Sequence, residues 1–320
     1  MSHTPQKPTI GLLTLPLSHN YGGILQLVAL QEVLDTLGFR TLLLDRRRNE
    51  PAWKVFLKQR LFYKYALSEI ERFKKNNISA KTAPLVSTYG LKQAAENNGL
   101  TAIMVGSDQV WRPTYTKQNY KDYFLDFCEG TTLPKIAYAA SFGENRFDTK
   151  LDVGRIRELL QQFTAVSVRE ASGKRLLFEI FNFTDAAVTI DPTLLLPRSY
   201  YEGLMHGPKP KKDLEDKMFY YVLDDCSNNK KRISEMAKIL QLETATIRHR
   251  PSTTFGRIFQ KKIAVESWLQ AFQDAAFVVT DSYHGMLFSI IFEKPFFIMV
   301  NHKRGASRFE SLAEQLGLKD

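Results

Sequence analysis

The run Thr280-Asp281-Ser282-Tyr283-His284-Gly285 interrupts two dozen otherwise mostly apolar residues between Phe277 and Val300. A short valine-rich stretch precedes it, a stretch of helical length follows it, and Glu293-Lys294-Pro295 breaks the chain ahead of a second apolar run. That order reads as strand, turn, helix, strand. In an open parallel sheet the turn after a buried strand is the edge where ligands bind. His284 therefore stands where an imidazole can move a proton, and Ser282 and Tyr283 stand beside it to touch the same ligand. A buried histidine capping its own helix is the plainer alternative.

Other strand ends supply complementary groups. In "VGSDQVW", Ser107 and Asp108 follow an apolar strand, and a carboxylate there can accept a proton from a substrate hydroxyl; a helix N-cap is the alternative. In "SVREAS", Arg169 leaves a buried strand, where a guanidinium needs an anion, supplied by a ligand or by Glu170 in a structural pair. "SHNYGG" places Asn20, Tyr21, Gly22 and Gly23 at a helix entry whose backbone N–H groups can hold an anion or a sugar hydroxyl. It fits neither the dinucleotide-binding nor the P-loop spacing. "YAASFG" brings Ser141 to the same edge, and "NHKRGASRF" adds the cations Arg304 and Arg308 ahead of a last helix. A histidine, a carboxylate, several guanidiniums and two glycine turns at one edge suit an anionic substrate together with a hydroxylated one.

The elements that must hold these groups alternate along the chain. Strands are expected at 9–15, 40–45, 101–106, 135–140, 165–169, 187–190, 218–223, 244–248, 277–280 and 296–300. Helices are expected at 23–37, 155–163, 171–181, 229–240, 267–274 and 284–292. Such alternation predicts an α/β fold with parallel sheets covered by helices. A length of 320 residues favours two domains, and the stretch from 197 to 217, rich in proline, glycine and charge, reads as the linker. An N-terminal α/β domain at 1–196 for the acceptor and a C-terminal one at 218–320 for the anion would then face each other across a cleft.

Composition removes several classes. Two cysteines, no CxxC and no His or Cys pair at metal-ligand spacing argue against a disulfide framework or a zinc site. The N-terminus lacks an apolar signal core and no run of 18 apolar residues exists, so the expectation is a cytoplasmic protein. The net charge of +10 is concentrated between Asp45 and Asn77, where ten Lys or Arg stand against four acids and Trp53, Phe56, Leu57, Leu61, Tyr65 and Ile70 recur at helical spacing. Docking of that apolar stripe on the body is the favoured reading. Peripheral contact with an anionic membrane through Arg46–Lys75 is the alternative. No nucleic-acid motif accompanies the charge.

The segments "NYGGILQLVALQEVLDTLGF", "VGSDQVW", "IAYAASFG", "SVREASGKRLL", "TIDPTLLL" and "TDSYHG" occur in the order and spacing of the polysaccharide pyruvyl transferase family, so the chain resembles that family over about residues 10–318. The resemblance implies two Rossmann-like domains similar to GT-B glycosyltransferases. It also implies transfer of a pyruvyl group from phosphoenolpyruvate to two hydroxyls of a free or lipid-linked glycan, giving a ketal and phosphate with no cofactor and no metal. Asp108, Arg169 and His284 fall on the family's acidic, arginine and histidine motif positions. Many members carry arginine and leucine before that histidine, where this chain has Ser282 and Tyr283; Arg304 or Arg308 is the expected substitute. Relatives commonly continue beyond the final "GLKD". A nucleotide-sugar glycosyltransferase and a non-catalytic anionic-glycan-binding protein are the two rival readings, since one fold hosts many functions.

Overall fold

The computed structural model describes residues 7–49, 67–148, 150–208, 214–224, 226–247, 261–300 and 307–317. The first sheet contains β1 (Thr9–Leu13), β2 (Arg40–Leu43), β3 (Ala102–Gly106), β4 (Lys135–Ala140), β5 (Ala165–Val168) and β6 (Ala186–Val188), all parallel in the order β2-β1-β3-β4-β5-β6. The second contains β7 (Met218–Tyr221), β8 (Thr244–Ala245), β9 (Phe277–Thr280) and β10 (Phe296–Ile298), parallel in the order β10-β9-β7-β8. Each expected strand is present, with ends shifted by a few residues; the last residue expected in β8, Arg248, lies outside the described residues. The two sheets fall on either side of the segment 197–217.

Pleating explains why these strands read as near-continuous apolar runs, because both faces are covered. Ile103 and Val105 join Leu13, Trp111, Phe124, Phe142 and Phe181 on one face of the first sheet, and Met104 joins Ile10, Leu12, Leu27 and Leu34 on the other. In the second sheet Phe219, Tyr221 and Val278 pack with Trp268, Phe272 and Phe288, whereas Met218 and Val279 pack with Ile233 and Met299.

The helix Tyr21–Thr36 is buried on all sides from Gly22 to Gln31, and only its last turns expose Glu32, Asp35 and Thr36. Leu27, Leu30 and Leu34 serve the first sheet, while Ile24, Leu25 and Val28 belong to the core of the second. Tyr21 ties the two further. Its ring stacks on Trp268 at 5.6 Å and its hydroxyl donates to the carbonyl of Ile263 at 3.0 Å.

One segment differs from its sequence reading. The expected linker begins with a helix, Arg198–Gly203, whose Tyr201 is fully buried, rests edge-on against Phe288 and donates from its hydroxyl to the carbonyl of Thr193 at 2.7 Å. The proline and glycine around it masked one packed aromatic. In the basic segment, residues 50–66 lie outside the described residues. Arg46, which only the alternative reading placed against a membrane, is buried in an ion pair with Asp122 at 2.7 Å. Within the helix Ser68–Asn77, Ile70 and Phe73 are fully buried in the core of the second sheet. Lys74 is buried against Glu71 and the carbonyl of Leu17, and Arg72 pairs with Glu69 and Glu266. These contacts support docking on the body for the described part of the segment.

Candidate active site

Because every strand of the first sheet is parallel, the residues after β3, β5 and β6 meet at one edge. Gly106, at φ +128°, turns the chain so tightly that a Cβ there would lie 2.0 Å from the carbonyl oxygen of Tyr138. Asp108 follows at φ +70°, a conformation uncommon for a residue with a side chain and held here by its surroundings. Its backbone N–H donates to Ser107 Oγ at 2.7 Å, and its carbonyl accepts from the N–H of Ser141 at 3.0 Å. No helix begins at Asp108, so the capping alternative does not apply. Its carboxylate faces Asn20 Nδ2 at 3.5 Å through one oxygen and Arg169 Nη2 at 3.6 Å through the other.

Asp191, three residues beyond β6, is completely buried and occupies the centre of the cluster. One carboxylate oxygen accepts from the N–H and hydroxyl of Thr193 at 3.1 and 2.8 Å. The other accepts from Arg169 Nη1 at 2.7 Å and Ser107 Oγ at 3.4 Å and lies 3.6 Å from His284 Nε2. Burial alone would push this carboxyl up; His284, Arg169 and the Thr193 N–H outweigh burial and hold it well below the usual carboxylate range. The His284 contact is an ion-pair distance and too long for a hydrogen bond.

Arg169 is fully buried, and its Nε and Nη2 have no hydrogen-bond partner. Its guanidinium lies 4.6 Å from the centroid of the Tyr283 ring, and that of Arg308 lies 5.2 Å from the same centroid. Burial, and then the charge of Arg169, lower the affinity of Arg308 for its proton. Two guanidiniums are thus held in one buried site on a shared aromatic plate. Burial pushes the Tyr283 hydroxyl far above its ordinary range, so the ring acts as a neutral platform.

His284 enters the site from the other sheet. Ser282 caps the helix Tyr283–Ile291 by accepting the N–H of Gly285 at 3.3 Å, and Thr280 Oγ1 accepts the N–H of Ser282 at 3.1 Å. The imidazole rests on Gly22, where a Cβ would sit 2.1 Å from its Cγ and Nδ1. His284 Nε2 is buried without a hydrogen-bond partner. The expected outcome of Gly22→Ala follows from that contact. The ring must move, turnover should fall ~10²-fold as for other small misplacements of a reacting group, and overpacking should cost about 1–3 kcal/mol. Turnover and urea denaturation of the purified variant check both; unchanged turnover would show that the ring's position does not matter.

The structure brings Asn20, Gly22, Gly23, Ser107, Asp108, Arg169, Tyr283, His284 and Arg308 together, a Cβ on Gly23 lying 3.5 Å from Asp108 Oδ2. Ser282 serves as the cap and Tyr21 as the link to Trp268. Ser141 is engaged elsewhere: its hydroxyl donates to Glu170 Oε1 at 2.8 Å, and the N–H groups of Phe142 and Gly143 donate to the same oxygen. Glu170 therefore closes the Ser141–Gly143 turn, and the counter-ion of Arg169 is Asp191 rather than Glu170. Arg304 lies outside the described residues. Asp191 was visible in the sequence only as part of "TIDPTLLL"; an acid followed two residues later by threonine reads as a turn-former, which it also is. Among the described residues, no group of three or more His, Cys, Asp or Glu could hold a metal ion, and no helix is long and apolar enough to cross a membrane.

A model of the polysaccharide pyruvyl transferase family matches residues 20–303. No curated protein matches the chain. Among solved structures, the UDP-GlcNAc 2-epimerase from Methanocaldococcus jannaschii is 13% identical with a TM-score of 0.55, the alignment covering 97% of this chain and 87% of that one. The UDP-GlcNAc 2-epimerase from Neisseria meningitidis bound to UDP-GlcNAc is 11% identical with a TM-score of 0.54, covering 97% and 92%. Likeness at this identity shows the fold alone: two parallel sheets of the GT-B type.

Proposed function

The chain belongs to the polysaccharide pyruvyl transferase family, whose activity is pyruvyl transfer onto polysaccharide, and from that premise we propose that phosphoenolpyruvate is the donor and a pyruvate ketal on two glycan hydroxyls the product. The observation that carries the proposal is the buried meeting of unpartnered donors on Arg169 and His284 with the carboxylate of Asp108. Nitrogen donors left unpartnered in a buried site call for an anion to complete them. Phosphoenolpyruvate, with a carboxylate and a phosphate, is a compact anion of that kind.

The roles follow from placement. Arg169 Nε and Nη2, with Arg308 beside them on Tyr283, hold the anionic groups. A proton goes from His284 to the methylene carbon of the enol, and C2 becomes oxocarbenium-like. The first glycan hydroxyl attacks C2 and gives its proton to Asp108. Phosphate then leaves C2 and carries away the proton held by Asp108, and the second hydroxyl closes the ketal ring as it returns its proton to His284. Tyr21, Gly22 and Gly23 keep the helix entry close enough that His284 and Asp108, from different sheets, address one substrate.

Phosphoenolpyruvate incubated with a panel of free and lipid-linked glycosides should release phosphate, and millimolar phosphoenolpyruvate should raise the melting temperature. Ligand at ten times Kd contributes ~1.4 kcal/mol. Stabilisation by UDP or GDP with none by phosphoenolpyruvate would overturn the donor assignment and favour a nucleotide-sugar enzyme. Asp108→Asn keeps size and hydrogen bonding but not basicity, so kcat should fall ~10²-fold or more with the donor still bound. A change confined to KM would make Asp108 a residue that only orients the acceptor.

A further inference from the structure

Asp191 has no part in the scheme above, yet its Oδ2 is where the two halves of the site touch. Arg169 Nη1 reaches that atom at 2.7 Å from the first sheet, and His284 Nε2 stands 3.6 Å away on the helix after β9. The other oxygen is fixed by two bonds from Thr193, so the carboxylate cannot rotate to follow either partner. We infer that Asp191 is a positioning residue that links anion binding to the proton donor: one fixed carboxylate oxygen orients both the guanidinium that meets the substrate anion and the imidazole that supplies the proton. The inference rests on the donor assignment only for its kinetic arm.

The physical argument is one of shared and competing charge. Asp191 holds Arg169 by a single N–H, which leaves Nε and Nη2 without a hydrogen-bond partner. An arriving anion engages those two donors and draws the guanidinium's charge towards itself, so Oδ2 becomes a better acceptor for His284 Nε2. A proton on that nitrogen then has a fixed anionic partner while the substrate is bound. The other charged and titratable groups described around this space are Asp108, at 3.6 Å from Arg169 Nη2, Arg308 on the Tyr283 ring, Tyr283 itself, whose ring lies 5.6 Å from that of His284, Glu170, whose charge acts on Arg169, and Tyr138 and Tyr201, which feel the charge of Asp191. None of them is described in contact with Asp191 Oδ2, as Arg169 and His284 are.

The test uses the whole protein and two variants. Six histidines are present, so nitrogen-15 labelling of their rings and comparison with His284→Gln identifies the His284 signal. In Asp191→Asn the midpoint of its titration should move to lower pH, kcat should fall about tenfold or more, and KM for phosphoenolpyruvate should stay level or drop, because a competitor for Arg169 is gone. Asp191→Glu keeps the counter-ion of Arg169 and guards against failure of the Asn variant to fold. Its His284 midpoint should stay near the wild-type value while kcat still falls, since the charge is kept but displaced. An unmoved midpoint in Asp191→Asn, or wild-type kcat in Asp191→Glu, overturns the inference. The ring titration needs no donor, so it decides the role of Asp191 even if phosphoenolpyruvate is not turned over, a result that would defeat the donor assignment alone.

Discussion

His284→Gln should release phosphate from phosphoenolpyruvate at least ~10²–10⁴-fold more slowly than the parent, with the fold and donor binding retained. Glutamine reaches a similar depth and can donate to Asp191, but it cannot hand over a proton. The ring it replaces rests on Gly22 and faces Asp191 at 3.6 Å, so the substitution removes titration while keeping a polar group in the same buried place. Donor binding should persist because the guanidiniums of Arg169 and Arg308 are untouched. Single-turnover phosphate release and the melting-temperature shift with phosphoenolpyruvate separate these effects. Turnover within tenfold of the parent would remove His284 from the chemistry.

Arg169→Met should be the most destabilising of the changes considered. It leaves the fully buried Asp191 carboxylate without its closest counter-ion, a loss of about 3–5 kcal/mol for a broken buried pair. The dependence on pH has a definite sign. In the parent, the Asp191 carboxyl is held below its ordinary value of 3.8, so its contribution is present above that pH and is lost only in stronger acid. Without Arg169, burial is opposed only by His284 and the Thr193 N–H, so the carboxyl rises from its parent position and the variant gains less from ionising it. The gap between parent and variant should therefore widen as pH rises from strong acid towards neutrality. Urea denaturation across that range checks it, and a gap that does not change with pH would show that Asp191 does not depend on Arg169 for its charge.

The positions of His284, Asp108 and Arg169 were legible because each falls within four residues of the end of a strand that the sequence announces, and parallel topology carries such positions to one edge. Asp191 was not singled out, although the strand expected at 187–190 ends directly before it, because the Pro192-Thr193 that follows makes it read as a turn-former. The helix Thr88–Asn97 escaped for a related reason. It buries only Leu91, Ala94 and Ala95, and Gly90 within it and Asn98-Gly99 after it read as turn. Pairing of Glu170 with its neighbour Arg169 is one of the two readings the sequence leaves open, yet a residue and its successor at a strand end point to different sides. Its carboxylate instead collects the N–H groups of the turn after β4. Long-range pairing of this kind leaves no local trace.

The helix Tyr21–Thr36 has a consequence for any exchange of parts between relatives. By chain position it belongs to the first sheet, but Ile24, Leu25 and Val28 are buried among Phe219, Trp268 and Phe272 of the second. A recombinant that crosses over at 197–217 would join the second sheet to a foreign copy of this helix and lose the fit of those three side chains, of Tyr21 on Trp268 and of Gly22 under His284. The unit that can be inherited whole is the second sheet together with this one face of a helix encoded near the other end of the chain. Successful chimaeras should be those in which these distant stretches were drawn from the same parent.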